Sequence, residues 1–216
     1  GSYGVASTFY TGALQTVTYQ LPHYRFDGVR TFTNKPPCGP KRGHGTPQPR
    51  FGWEIQLDKA AFRLGIDPAE LRLRNLERPG AITANWLQLG TIGLERCIRA
   101  VVEGSGWRER RGRLPAGRGL GLACGSYLCG AGLPIYWNHM PQSGVQLKLD
   151  RSGGVAVFCG QTEIGQGSDS VLAAVAAEVL GISLADIRLC VADTDLTPVD
   201  LGSYSSRVTL MAGNAA

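Results

Sequence analysis

Three glycine-rich segments carry the side chains that could bind a ligand or act on it. Lys41-Arg42-Gly43-His44-Gly45 is basic and leads toward an expected helix. Arginine presents a planar fork of N–H donors suited to oxyanions, and glycine lets backbone amides approach the same group. A solvated surface loop would use the same residues. Gly160-Gln161-Thr162-Glu163-Ile164-Gly165-Gln166-Gly167 lies between an expected strand and an expected helix, where unpaired N–H groups suit an anion or a polar heterocycle. It lacks the Gly-Lys-Ser/Thr of a phosphate-binding loop and the full dinucleotide spacing, so a purely structural turn stands beside the binding reading. Glu163 is expected to bond the amides of its own loop. Between Asp193 and Asn214, the run Gly202-Ser203-Tyr204-Ser205-Ser206 offers hydroxyls and amides either to a ligand or, as caps, to the next helix.

The elements that must position these loops are legible in the periodicity. From about Pro49, Trp53, Leu57, Ala60, Ala61 and Leu64 form one helical stripe, and Gly65 stops it. Asp67-Pro68-Ala69-Glu70 combines an N-cap, a proline at the first helical position and a glutamate three residues after the cap, predicting a short helix to Asn75. Leu94, Ile98, Val101 and Val102 predict a helix over 93–102. Tyr24–Asn34, aromatic and β-branched, reads as a strand kinked at Gly28. Residues 106–118, rich in Arg and Gly without apolar periodicity, read as a linker between modules at 1–105 and 119–216. The second module opens with an expected strand over Leu120–Gly130. Alternation then predicts a hairpin from Val145–Leu149 and Val155–Cys159 and a strand at Ile187–Val191, and between them lies an expected helix after Ser168 whose Val171, Val175, Glu178 and Val179 fall on neighbouring turns and which Gly181 ends. The fold class is therefore α+β: two mixed modules with helices packed on mostly antiparallel sheets.

Charge divides the chain. Residues 1–118 hold 18 Lys and Arg against 9 Asp and Glu, whereas residues 119–216 hold 4 against 8, so the first part suits an anionic partner. No nucleic-acid-binding signature accompanies that charge. Six cysteines without a secretory leader fit a reducing cytoplasm better than a disulfide framework. Cys124 and Cys129 have the first gap of an iron–sulfur run, but no third cysteine follows at the needed spacing. No metal-ligand cluster and no membrane-spanning run is present in the sequence. Gly1 is no initiator, and Met211–Ala216 stops without a helix-ending pattern, so both ends read as cuts.

Taken in order and spacing, these segments resemble the molybdenum hydroxylase family of xanthine dehydrogenases, aldehyde oxidases and their bacterial relatives. The matching residues are Thr33-Asn34, Arg42-Gly43-His44-Gly45, Gly165-Gln166-Gly167 and Ser203 to Ser206, and the similarity covers nearly the whole chain. The resemblance implies a molybdenum–molybdopterin cofactor, in its cytosine dinucleotide form, whose metal takes no ligand from the protein. Arg42 and Gly43 would lie beside the molybdenum centre. Gly165, Gln166 and Gly167 would contact the pterin, and Ser203, Ser205 and Ser206 would form the later cofactor loop. The cofactor loops of the two modules would converge on it. The substrate would meet Lys41, His44 and Tyr204.

His44 stands where xanthine dehydrogenases commonly carry a purine-stacking phenylalanine, which implies a different substrate; a hydrogen bond within the loop is the other reading of His44. Lys41 also departs from the usual aromatic or small residue. The stretch Pro36-Pro-Cys-Gly-Pro-Lys-Arg-Gly-His-Gly45 looks most like the 4-hydroxybenzoyl-CoA reductase branch, which dehydroxylates reductively where most relatives hydroxylate. The family's general base, a glutamate in a Gly-Glu segment, has no match here, so the chain by itself is expected to be inactive. An iron–sulfur small subunit carrying [2Fe-2S] and an FAD-binding medium subunit are implied as partners, in a dimer of heterotrimers. A non-catalytic basic module that binds an acidic partner is the alternative from another class.

Overall fold

A computed structural model describes residues 4–37, 39–127, 129–130 and 142–216. They fall into two compact units, Gly1–Tyr127 and Leu128–Ala216. Cys38, Leu128 and residues 131–141, which touch the readings of 36–45 and of the 120–130 strand, lie outside the described residues.

The first unit is helical. It contains α1 (Gly4–Ala13), a single 3₁₀ turn at Gln15–Val17, α2 (Pro47–Leu64), α3 (Pro68–Asn75), α4 (Leu94–Gly104) and α5 (Trp107–Arg110). α2 starts two residues earlier than expected because Pro47 takes the first helical position, and it ends at Gly65 in the left-handed conformation, as its sequence predicts. Asp67 caps α3 through Oδ1, which accepts from the amides of Ala69 at 2.8 Å and Glu70 at 3.2 Å. Its other oxygen accepts from the Trp107 indole at 2.9 Å.

Tyr19, Ala69, Leu76, Ile98, Trp107 and Cys124 form the core of this unit, with Trp53, Leu57, Leu94 and Val102 packed against it. Trp107 is buried although residues 106–118 were expected to be a linker: a single large anchor needs no periodicity to be pulled into a core. Leu120 and Leu122, expected at the head of the second module, also pack here, and residues 120–127 form no strand. The expected strand at Tyr24–Asn34 is absent as well. Those residues are irregular and mostly exposed, so β propensity there meets no partner strand.

In the second unit β1 (Val145–Leu149) pairs antiparallel with β2 (Val155–Cys159), and β2 pairs in parallel with β3 (Ile187–Val191). The sheet is therefore mixed, with one pair of each kind. Parallel pairing requires a crossover, and α6 (Ser168–Leu180) provides it. Val155, Val157 and Cys159 face inward and are buried, packing with Leu172 and Ala176 of α6 and with Val208 and Ala212 of α7 (Val208–Ala215). The buried face of α6 thus runs through Ser168, Leu172 and Ala176, not through Val171 and Val179, which are 36% and 74% exposed. Small alanines admit the helix close to the sheet, and the larger valines are left on the outside. Leu147 and Leu149 share the inward face of β2 by register, yet remain 41% and 73% exposed.

Candidate functional site

In the second unit, β2 ends at Cys159 and delivers the turn 160–167 to the start of α6. Gly160 is required there by contact: a Cβ on it would sit 2.4 Å from the Pro198 carbonyl oxygen and 2.8 Å from the Asp200 Cβ. The loop before α7 is thereby seated on the root of the turn.

The turn satisfies most of its own polar groups. The Glu163 carboxylate accepts from the amides of Gly165 at 2.7 Å, Gly167 at 3.0 Å and Asp169 at 3.3 Å. These backbone donors, the Gly167 bond first, hold its pKa below the ordinary carboxylate range. Glu163 thus occupies the cradle of amides that an outside anion would otherwise use, in agreement with the reading of this residue as a loop ligand. Gln166 folds back in the same way. Its Oε1 accepts from the Ile164 amide at 2.6 Å, and its Nε2 donates to the Thr162 carbonyl at 2.9 Å and to Ser168 Oγ at 2.7 Å.

Ser203 joins this turn. Its Oγ accepts from the Thr162 amide at 3.1 Å and donates to the Thr162 carbonyl. Gln161, fully buried, was not anticipated from the sequence and lies between the two loops. Its Nε2 donates to Asp169 Oδ1 at 2.8 Å, and its Oε1 accepts from Ser168 Oγ at 2.8 Å and, at a longer 3.4 Å, from Ser203 Oγ.

Further along, Arg207 and Asp200 form an ion pair at 3.0 Å with side chains 2% and 1% exposed. Arg207 also lies 5.3 Å over the Tyr204 ring. Between them Ser205 and Ser206 hold left-handed φ of 49° and 52°, a costly conformation for residues other than glycine. Their carbonyls accept from the Gly130 amide at 3.0 and 3.2 Å.

In the first unit, Arg42 to Gly45 form turns shortly before α2, with Lys41 in irregular chain ahead of them. Gly45, at φ 79°, lies against α1: a Cβ there would be 2.7 Å from the Tyr10 Cβ and 2.8 Å from the Thr11 nitrogen. Thr46 closes the turn, its amide and hydroxyl both donating to the Gly43 carbonyl. Lys41 and Arg42 are exposed, and Arg42 has no hydrogen-bond or ion-pair partner among the described residues. His44 Nε2 lies 2.8 Å from Ser7 Oγ and its ring is 4.9 Å from that of Tyr10; burial lowers its pKa.

Behind this loop α2 is anchored by charge. Arg72, with no exposed surface, donates to Glu54 Oε2 at 2.7 Å and Asp58 Oδ1 at 2.8 Å, while Glu54 also accepts from Tyr19 Oη at 2.8 Å and the Cys124 amide at 3.0 Å. Burial, with Cys124 and Glu54 nearby, raises the Tyr19 pKa. A groove lined by Arg50, Glu54, Asp58 and Leu122 runs beside α2, but Lys41, Arg42 and His44 do not line it.

Among the described residues no cluster of His, Cys, Asp and Glu could hold a metal ion, and no helix is long and apolar enough to cross a membrane. What the second unit offers a ligand is an open face. A Cβ added at Gly165, Gly167 or Gly202, all at positive φ, would meet nothing within 4 Å, and the exposed Thr162 stands beside the half-exposed Ser203.

Residues 1–76 and 99–216 each match a molybdopterin cofactor-binding domain family. The xanthine dehydrogenase molybdenum-binding subunit of Escherichia coli O157:H7 is 36% identical over 208 residues, which cover 92% of this chain and 27% of that protein. The 6-hydroxypseudooxynicotine dehydrogenase complex subunit gamma of Paenarthrobacter nicotinovorans is 34% identical over 216 residues, covering 92% and 26%. The structure resembles that of the aldehyde oxidoreductase from Desulfovibrio desulfuricans, with a TM-score of 0.79 and 28% identity over 100% of this chain and 24% of the other. Quinoline 2-oxidoreductase from Pseudomonas putida 86 gives 0.80 and 25% identity over 95% and 28%. The chain spans about a quarter of the length of these relatives. It belongs to the molybdopterin-binding family that includes the molybdenum-binding subunits of xanthine dehydrogenases and aldehyde oxidoreductases.

Proposed function

We propose that the chain is the cofactor-holding part of a molybdenum-dependent oxidoreductase large subunit, with cofactor-contacting loops in each of its two units. The observation that carries this reading is the joining of the 160–167 turn to Ser203 beneath an open glycine face. The residues fit the group. With the Gly165 and Gly167 amides given to Glu163 and the Ser203 proton to Thr162, the carbonyls of Gly165 to Gly167, the Ser203 oxygen as an acceptor and the hydroxyls of Ser205 and Ser206 would hold the pterin, and the exposed Arg42 with Gly43 would face the metal end. The Gln166 side chain is used within its own turn, so its contribution would be to shape that turn. When bound, the cofactor supplies the redox centre; the chain binds, orients and shields it.

Lys41, His44 and Tyr204 would border the substrate, an aromatic, heterocyclic or aldehyde compound that is hydroxylated or reductively dehydroxylated. The likeness of residues 36–45 to the 4-hydroxybenzoyl-CoA reductase branch favours 4-hydroxybenzoyl-CoA. The cytosine dinucleotide form of the cofactor, an iron–sulfur subunit with [2Fe-2S], an FAD subunit, a dimer of heterotrimers and a cytoplasmic location complete the proposal; the naming of the Paenarthrobacter relative as part of a complex supports the partners. Residues 1–216 alone would be inert, since no segment in them matches the family's general base, whose loss forfeits about 10² to 10⁴ in rate.

The test is production of the full-length subunit with its partners in a cofactor-competent host, followed by metal and pterin analysis. Stoichiometric molybdenum and pterin are expected, and their absence would overturn the assignment. Turnover of 4-hydroxybenzoyl-CoA, with none of xanthine, aldehydes or N-heterocycles, is the expected substrate pattern; the reverse pattern would remove the thioester proposal.

A further inference from the structure

We infer that Gln161 is a positioning residue that locks the two cofactor loops of the second unit in one register. This rests on the reading that those loops hold the pterin. Gln161 has no exposed surface, so it cannot touch a ligand, yet both ends of its amide are hydrogen-bonded. Nε2 is committed to Asp169 in the first turn of α6, and that bond fixes which way the amide points. Oε1 therefore faces Ser168 and Ser203.

The consequence runs in two directions. Ser168 has one hydroxyl proton, and giving it to Gln161 at 2.8 Å rather than to Glu163 at 3.4 Å leaves an oxygen lone pair for Gln166 Nε2. The order Gln166 to Ser168 to Gln161 is thus a directed chain that sets the shape of the turn. On the other side, Ser203 gives its one proton to the carbonyl of Thr162 and accepts from the amide of the same residue, the direct neighbour of Gln161 in the chain, while its oxygen lies 3.4 Å from Oε1. One buried amide, anchored to Asp169 and Ser168, therefore fixes the Thr162 backbone to which the second loop is fastened, as an outer partner does for groups that contact a cofactor directly.

The experiment uses the full-length subunit in its assembled enzyme. It measures molybdenum and pterin per subunit, and the rate of cofactor loss on incubation well below the unfolding temperature, with circular dichroism as a check of folding. Q161L should lower retained cofactor about tenfold or more with the spectrum unchanged. Q161E places a carboxylate against Asp169 and should lose cofactor likewise. The double variant Q161E/D169N restores a donor facing an acceptor with the bond reversed, and should recover most of the wild-type retention. A residue that merely fills space would show no such recovery.

Wild-type retention in Q161L overturns the inference. Should Q161L fail to fold, equal retention in Q161E and Q161E/D169N overturns it instead. Loss of cofactor in S203A with full retention in both single Gln161 variants would refute the role of Gln161 while leaving the cofactor reading standing. A wild-type enzyme without pterin would refute the cofactor reading itself.

Discussion

Both units bury an ion pair behind their loops, Arg72–Glu54 in the first and Arg207–Asp200 in the second, but they differ in how far the loop's own polar groups are used. The first buries charge: Glu54 gathers Tyr19, Arg72 and the Cys124 amide behind α2, and the loop in front is left with Lys41 and Arg42 exposed. The second adds to Arg207–Asp200 and its sheet-and-helix core a polar network within the turn itself, where Glu163, Gln166 and Gln161 use up most of the available donors. The difference separates two ways to prepare a binding surface. The first loop is pinned at Gly45, Thr46 and His44 and leaves an exposed arginine with its donors unspent among the described residues, whereas the self-bonded turn spends its donors within itself and leaves an outer face of carbonyls and hydroxyls.

Breaking the charged support should have the largest effect. Glu54→Ala leaves Arg72 buried with only part of its partners and should destabilise the first unit by about 3–5 kcal/mol, read as a lowered denaturation midpoint. Gly45→Ala comes next. Its left-handed φ and the contact with Tyr10 should cost about 1–3 kcal/mol and shift the Arg42–His44 loop, visible as a change in the His44 NMR signals with secondary structure intact. If Gly45→Ala proves harmless, the close approach of the loop to α1 is not what holds it.

Glu163→Gln should be milder for folding and local in effect, with faster hydrogen exchange at the Gly165 and Gly167 amides and little change elsewhere. Acid should reproduce it. The folded pKa lies below the unfolded value, so the contribution of Glu163 is complete above the ordinary carboxylate range and is lost as the pH falls through the lowered pKa. Exchange at these amides that ignores both acid and substitution would erase the contrast between the two units.

Much of the architecture could be read locally because its causes are local. Asp67-Pro68-Ala69-Glu70 carries a helix start within four residues, and Val145–Cys159 carries its own alternation and turn. Glu163 was readable too, since a carboxylate two residues before an amide has few better partners. The missed features depend on distance in sequence. Nothing near Glu54 announces Arg72, 18 residues away, or the Cys124 amide, 70 residues away. Gln161 looks like any loop glutamine until Ser203 arrives beside it. Trp107 was hidden by its arginine-rich neighbours, and the residues around Phe26 and Phe32 mimicked a strand whose pairing partner does not exist among the described residues. The spacing of the loops suggested a shared ligand, but no spacing could say that Gln166 would turn its side chain inward.

The outer strand of the hairpin carries a practical consequence. Among the described residues β1 has no neighbour on its far side, and Leu147 and Leu149 stay open to solvent on the face that β2 buries. Such an edge is a template for self-association, and Lys148 is the one charge that interrupts it. Preparations of residues 1–216 alone should therefore clump through this strand, and Lys148→Val should hasten the rise in light scattering.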